Sequence, residues 1–387
     1  RRTLMLKFLH LADLHLGAAP TFLGDLAQDR ALDYLDVFQR AIDYAVEPSN
    51  GINFALIVGD FFDVAHPSQD VIRFTVNQLK RLAQAGIPLI VTPGNHDGIG
   101  APESIYRDSS INSLMKVIRS PQVEHFDSMV INGEVVHFYG MAWDVQSKPP
   151  FDVFHKREED GYHIAMIHGT LKGGLFTEGH SREVPLDLDN LAKSGMDYIA
   201  LGHLHKFQKK DAGKTPVVYP GSLESRRFSP GEDGDRYLVV VTLDQPQSAI
   251  INQFKWNKKS LISEKLDLDQ ELIETESELS EMIQSKYGSK NTLLKLTLTG
   301  SPPFVIDIDA LITRLSGDIY WMDIADNTSA FDSVLAETWS REETIRGLYV
   351  RKLKQRLDAA ESIDEKQKYQ LALKLATQAF QKSSRKK

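Results

Sequence analysis

Five times before residue 206, an apolar run of strand character stops at a short segment carrying Asp, Asn or His. Lys7-Phe8-Leu9-His10-Leu11 leads into Asp13-Leu14-His15, and Phe54–Val58 leads into Gly59-Asp60-Phe61-Phe62-Asp63. Ile87–Val91 leads into Pro93-Gly94-Asn95-His96-Asp97. The runs near 165 and 200 end in Ile167-His168-Gly169 and Gly202-His203-Leu204-His205. In an open α/β sheet, ligands bind beyond the carboxyl ends of the strands. Five strand ends can therefore deliver Asp, His, Asp, Asn and three more His side chains to one cleft. Oxygen and imidazole donors without thiolate suit Mn²⁺, Fe²⁺, Zn²⁺ or Mg²⁺. The i, i+2 spacing of Asp13/His15 and of His203/His205 puts each pair on one side of an extended segment. Asp60, with two carboxylate oxygens, can bridge two ions. Any one of these motifs alone is more often a turn; five in succession at strand ends are not.

Helical patterns separate the first strands. Ala31–Val46 places Leu35, Phe38, Ile42 and Ala45 at helical spacing, and Val71–Ala85 does the same with Ile72, Val76, Leu79 and Ala83 before Gly86. Strand, helix and strand at this spacing form a βαβ unit with a parallel pair. Further strands are expected at Val135–Tyr139, His163–Ile167, Tyr198–Leu201, Val217–Tyr219 and Tyr237–Leu243, some without a helix between them, so mixed sheets are expected. Past about residue 255 the texture changes. An acidic helix over Asp269–Lys286, a strand over Leu293–Leu298, a helix over Ile308–Leu315 and a strand over Asp318–Ile324 make a small α+β domain. From Ser340 the pattern is helical and basic. The expected division is residues 1–262, 263–338 and 339–387.

The absence of cysteine excludes a disulfide scaffold, a thiolate metal site and a thiol nucleophile. The formal charge of −8 argues against strong unaided adhesion to nucleic acid and fits the gathering of divalent cations. It is unevenly spread: residues 341–387 hold 13 Lys/Arg against 6 Asp/Glu. No apolar run approaches the roughly 20 residues of a membrane span. No signal peptide is read, Met5 is taken as the natural start, and a cytoplasmic setting is expected.

The series Asp13-x-His15, Gly59-Asp60, Gly94-Asn95-His96-Asp97, His168 and Gly202-His203-x-His205 resembles the calcineurin-like metallophosphoesterase superfamily. Within it, Ala12-Asp13-Leu14-His15-Leu16-Gly17 and Tyr219-Pro220-Gly221-Ser222 are similar to the SbcD-type DNA double-strand-break repair nucleases, relatives of the nuclease subunit of the MRN complex. The resemblance implies an αββα sandwich with a small α+β capping domain and a C-terminal helical tail. It implies two divalent metal ions, most often Mn²⁺, about 3.5–4 Å apart and sharing a hydroxide nucleophile. One ion would take Asp13, His15, Asp60 and His205, and the other Asp60, Asn95, His168 and His203. His96 would stand beside the metals and serve the scissile phosphate or its leaving oxygen. The implied activity is exonuclease and endonuclease action at DNA ends. The implied partners are DNA and an SbcC-type ATPase clasped by the tail, with a homodimer through the catalytic domain.

One departure is Asp63, where archaeal and eukaryotic relatives carry His. It reads either as the carboxylate that orients His96 or as a turn or cap residue. Asp97 reads as a turn-former. Arg226 and Arg227 read either as a pair holding a nucleic-acid backbone or as a solvated pair. His10 is taken as a packing or supporting residue. His137 and His163 lie on strands without a ligand partner at motif spacing, and His66, His125, His155 and His180 are taken as loop or surface residues. Phe61 and Phe62 read as core. In the tail, Ile345, Leu348, Leu353, Leu357 and Ala360 form one stripe. Ser362 and Glu365 open a second helix carrying Tyr369, Leu373, Ala376 and Phe380. These helices either dock on their own domain or on the ATPase. Two other functions stay open: a phosphoesterase for a small phosphodiester or a phosphoprotein, and a non-catalytic adaptor for the ATPase.

Overall fold

A computed structural model gives the fold. It describes residues 5–143, 155–172, 184–271, 273–300, 302, 304, 306–328 and 333–360, with 362, 365, 366, 368, 369, 372, 373, 376 and 380 beyond them. His180 lies outside the described residues. The chain divides into two compact units, residues 1–261 and 262–387.

The first unit is built on two six-stranded mixed sheets. One runs in the order Ser248–Lys255, Tyr237–Gln245, Leu6–Leu11, Phe54–Val58, Leu89–Thr92, Lys116–Val117. Its last four strands are mutually parallel, and Tyr237–Gln245 is antiparallel to both of its neighbours. The other runs Gln208–Ala212, Thr215–Tyr219, Tyr198–Gly202, Tyr162–His168, Glu134–Gly140, Glu124–Ile131, with antiparallel strands at both edges. Phe54–Val58 and Tyr198–Gly202 are buried along their whole length because both faces are covered, and so they read as unbroken apolar runs.

Three apolar layers follow from this. Phe8, Phe54, Leu56 and Val58 of the first sheet meet Phe138, Ile164, Met166 and Tyr198 of the second. Phe8 and Phe54 stack there at 4.5 Å between ring centroids. The outer face of the first sheet packs on the helices Ala27–Val46 and Gln69–Gln84 through Phe38, Ile42, Leu79 and Leu82. The outer face of the second packs on Leu191 of the short helix Leu188–Lys193 and on Met196. This is the expected αββα sandwich. Both long helices begin earlier than their apolar spacing suggests, because their polar first turns carry no periodic signal. Ser68 caps the second by accepting from the Val71 N–H at 3.4 Å. Gly86, at φ 70°, ends it in the left-handed conformation expected of a C′ glycine. The edge strands Glu124–Ile131 and Ser248–Lys255 leave no strand signal in the sequence, because their exposed polar positions break the apolar pattern. His125 therefore lies on a strand, half-buried, and not in a loop.

In the second unit, Ser260–Asp267, Thr292–Thr299 and Trp321–Asp326 form a three-stranded sheet. Leu294, Leu296 and Leu298 pack against Leu279 and Ile283 of the helix Glu276–Tyr287 and Leu311 and Leu315 of the helix Ile308–Leu315. The acidic helix starts at Glu276, later than its composition suggests, because Thr275 and Glu278 close a capping box there. The helices Ser333–Ser340 and Ile345–Asp358 share a small core of Ala336, Trp339, Val350 and Leu353, joined by Leu373 and Ala376. Among the described residues, no helix is long and apolar enough to cross a membrane.

Candidate metal centre

The strand ends that carry the five motifs converge, and the backbone there is unusual. Asp13, His15, Asp60 and His203 all have positive φ, at 53°, 45°, 48° and 101°. Non-glycine residues seldom hold such values, and when they do the surroundings enforce them. Here the enforcement is a set of cross-links. Asp13 N–H donates to Gly59 O at 3.1 Å and His15 N–H to Asp60 O at 2.9 Å. His203 N–H reaches the Asp13 carboxylate at 3.0 Å, and His96 N–H reaches Asp60 Oδ1 at 2.9 Å. Asp13 and His15 thus converge through left-handed turns and not, as their spacing suggests, through an extended segment. Gly59, at φ 81°, is needed on two counts: its backbone is left-handed, and a Cβ would overlap the His168 ring.

The donor atoms fall into two groups that share Asp60. Nε2 of His15 stands 3.3 Å from Nε2 of His205, and ligand atoms of Asp13, His15 and His205 lie within 4.8 Å of one another. His168 Nε2 stands 2.9 Å from Asn95 Oδ1 and 3.4 Å from His203 Nδ1. Asp60 Oδ2 lies between the groups, 3.7 Å from His15 Nε2 and 3.6 Å from His168 Nε2. The structure therefore brings the side chains of all seven expected ligands together, with Asp60 Oδ2 between the two groups.

The donor set fits divalent cations. Two imidazole nitrogens face each other across 3.3 Å, a contact that a shared cation resolves. Neighbours fix which nitrogen is free. His168 Nδ1 donates to Val58 O at 3.2 Å and His205 Nδ1 to Glu232 Oε1 at 2.6 Å, leaving both Nε2 atoms as acceptors. Burial pushes Asp13 up to about 6, against the pull of His205 and His168, so its carboxylate is short of compensating positive charge. Burial and the nearby His168 hold His203 down to about 3, which keeps it neutral and ready to ligate.

Around this centre, His96 Nδ1 donates to the backbone carbonyl of Asp63 at 2.9 Å. The Asp63 carboxylate is farther from that nitrogen, at 3.6 Å, and instead accepts from Arg226 Nη2 at 2.5 Å. Asp63 does adjoin His96, but through its carbonyl, while its side chain holds an arginine. Arg226 Nη1 also meets His15 Nε2 at 2.9 Å, so Arg226 and a cation compete for that nitrogen. Arg227 is exposed. Asp97 is more than a turn-former: it accepts from Gly94 N–H at 2.8 Å, from Phe62 N–H at 3.1 Å and from Tyr106 Oη at 2.6 Å, tying the Asn95-His96 loop to the core. Burial and the Asp60 charge push it up to about 6. His10 pairs with the Tyr198 hydroxyl at 2.9 Å, and His137 and His163 stack on each other at 4.6 Å, all away from the donor groups. Sequence reasoning missed Glu232 and the salt bridge it makes with the buried Arg236. They lie in a segment rich in Gly and Asp, whose only signal is its position shortly after Pro220-Gly221-Ser222.

A family model described as calcineurin-like phosphoesterase matches residues 6–207, more than half of the 387 residues. The chain belongs to this family. The uncharacterized metallophosphoesterase YhaO of Bacillus subtilis (strain 168) is 34% identical over 252 residues, 61% of this chain and 58% of that protein. The chain thus spans little more than half of that relative. The DNA double-strand break repair protein Mre11 of Sulfolobus acidocaldarius is 26% identical over 319 residues, 80% of this chain and 78% of its own length. A solved purple acid phosphatase from yellow lupin overlays at a TM-score of 0.38 and 12% identity, covering 65% of this chain and 52% of that one.

Proposed function

We propose that this chain is a Mn²⁺-dependent DNA nuclease, both exonuclease and endonuclease, that works at DNA ends in double-strand-break repair with an SbcC-type ATPase. The observation that carries this reading is the reach of the similarity to the Sulfolobus acidocaldarius protein: it covers 80% of this chain, well beyond the stretch 6–207 that any member of the family shares. A phosphatase acting alone has no need of the small second unit or of a basic helical tail.

In this reading Asp13, His15, Asp60 and His205 hold one cation, and Asp60, Asn95, His168 and His203 the other. When bound, the pair supplies a nucleophile at neutral pH and positive charge for the phosphate as its transition state forms. The chain does the rest. With its Nδ1–H given to the Asp63 carbonyl, His96 turns Nε2 toward the substrate, where it takes or gives the proton of the leaving oxygen. Arg226, held by Asp63, presents a guanidinium at the edge of the centre for a phosphate oxygen, and exposed Arg227 meets the bound strand beyond it. Glu232 keeps His205 in the tautomer that ligation requires.

The test is cleavage of single- and double-stranded DNA with Mn²⁺, beside a chromogenic phosphodiester. Turnover of both supports a nuclease. Turnover of the small ester alone reassigns the chain to small phosphodiesters, and turnover of neither reduces it to an adaptor.

A further inference from the structure

Beside the metal centre lies a cavity of about 200 Å³ whose walls include Pro20, Phe22, Tyr34, Asp63, Arg226 and Arg227. It shares a wall with the centre. Arg226 touches His15 at 2.9 Å, and the Asp63 carbonyl holds His96 at 2.9 Å, so whatever fills the cavity lies next to the phosphate being cut.

The remaining walls are of another character. Phe22 is 40% exposed and meets Phe228 edge-on at 5.7 Å between centroids. Tyr34 is buried and forms part of the wall, its hydroxyl given to Ser225 O at 3.1 Å. Arg227 stands exposed at the rim, and its side chain makes no hydrogen bond or ion pair among the described residues. A second phosphate is a poor occupant: Asp63 would repel it, and Arg226, the cation deep in the wall and held by Asp63, is given to the phosphate at the centre. An alkyl chain would leave Arg227 without use. A flat aromatic ring with a polar edge suits both the phenyl and the guanidinium, since each offers a stacking surface.

We propose that this cavity receives the base of a nucleotide flanking the scissile phosphate, stacked on Phe22 and covered at the rim by Arg227. The inference rests on the DNA-cleaving reading and names its substrate more closely. A base can enter only when it has left its partner and its stack, so the strand being cut is single or frayed at that nucleotide. Stacking does not distinguish among the bases, and cleavage is accordingly indifferent to sequence at this position.

Two measurements test it. The first is binding without metal, in EDTA, of single-stranded oligonucleotides carrying one 2-aminopurine, whose fluorescence falls on stacking. Wild type should quench it; Phe22→Ala should bind roughly 5- to 150-fold more weakly, the span set by loss of one base–aromatic stack. Phe22→Tyr should restore binding. The second is single-turnover cleavage, with Mn²⁺, of oligonucleotides in which one abasic site is walked past the cut. One position should slow cleavage of wild type by a similar factor and should add nothing in Phe22→Ala.

If the wild type hydrolyses a chromogenic phosphodiester but no DNA, the nuclease reading fails and takes this proposal with it. If it cuts DNA while no abasic position matters, or Phe22→Ala quenches as wild type does, the base pocket alone is refuted. Loss of binding that Phe22→Tyr does not restore, with a lowered melting temperature, marks Phe22 as structural and also refutes it.

Discussion

The Glu232 carboxylate accepts a hydrogen bond from Nδ1 of His205 at 2.6 Å, and the opposite nitrogen of that ring faces His15 Nε2 at 3.3 Å. A carboxylate behind an imidazole fixes its tautomer and raises its basicity as a ligand. Burial lowers the pKa of His205, but the Glu232 charge and hydrogen bond outweigh it, and the ring ends above its ordinary value. Glu232→Gln should weaken the affinity for one of two divalent ions by about 10- to 100-fold. Calorimetric titration with Mn²⁺ reads this directly. Two ions bound with unchanged affinity would reduce Glu232 to a packing role through Arg236.

Asp60 Oδ2 lies 3.7 Å from His15 Nε2 in one donor group and 3.6 Å from His168 Nε2 in the other. Asp60→Ala should therefore disturb both ions, whereas His15→Ala should disturb mainly one. Metal content by elemental analysis separates the two variants. Two ions retained by Asp60→Ala would end the bridging assignment.

Much of this centre could be read from residue order, because each ligand follows an apolar run and strand ends in such sheets face one cleft. What could not be read is how the loops hold their shape. The left-handed conformations of Asp13, His15, Asp60 and His203 leave no mark in residue type, since Asp and His carry no preference for them that stands out in the sequence. Asp63 shows the same limit. A carboxylate near a catalytic imidazole suggests a pair, yet Arg226, 163 positions away, takes the side chain. Long-range partners such as Glu232 and Asp97 become visible only when the chain is folded.

His96 sits close to His15, at 4.7 Å between ring centroids, with its Nδ1 committed to a backbone carbonyl. If it serves the phosphate and not the ions, His96→Ala should keep both metals and lose about 10²- to 10⁴-fold in turnover. Asp63→Asn leaves the carbonyl in place, so it should act chiefly through Arg226 and raise KM for DNA more than it lowers kcat. A His96→Ala variant that cuts DNA at the wild-type rate would refute the role.

His10 supplies a pH dependence independent of the ions. Burial holds it down to about 3, against some support from the Leu201 backbone, while in the unfolded chain it titrates at its ordinary 6.5. Between those values the unfolded state takes a proton that the folded state refuses. Stability is thus unaffected above about 6.5 and falls as the pH drops toward 3, by about 2 kcal/mol between pH 7 and pH 5. Urea unfolding of the metal-free protein at the two pH values should show that His10→Gln has the shallower dependence. Equal slopes would mean that His10 is not the responsible group.

The tail calls for different variants from those its periodicity suggests. Leu353 and Leu373 are buried with Trp339 and Val350, so a charge at either position breaks the small helical core and reports on folding, not docking. A cut after Thr338 does the same by removing Trp339 from Ala336. The residues free to meet a partner are on the other side of the helix Ile345–Asp358: Ile345 is 84% exposed, and Leu348 and Tyr349 are each 48% exposed. Two aliphatic side chains and an aromatic ring in one helical turn, on a segment with 13 basic and 6 acidic residues, suit a helix-in-groove contact with an acidic, apolar-lined partner. Ile345→Glu with Leu348→Glu should leave the melting temperature, metal content and hydrolysis of a chromogenic phosphodiester unchanged. If the chain works with an SbcC-type ATPase as proposed, the double variant should lose co-purification with it, and with that the processive action on long duplex DNA. Recovery of the ATPase equal to that of the wild type would show that this face carries no contact, and the docking assignment would be withdrawn.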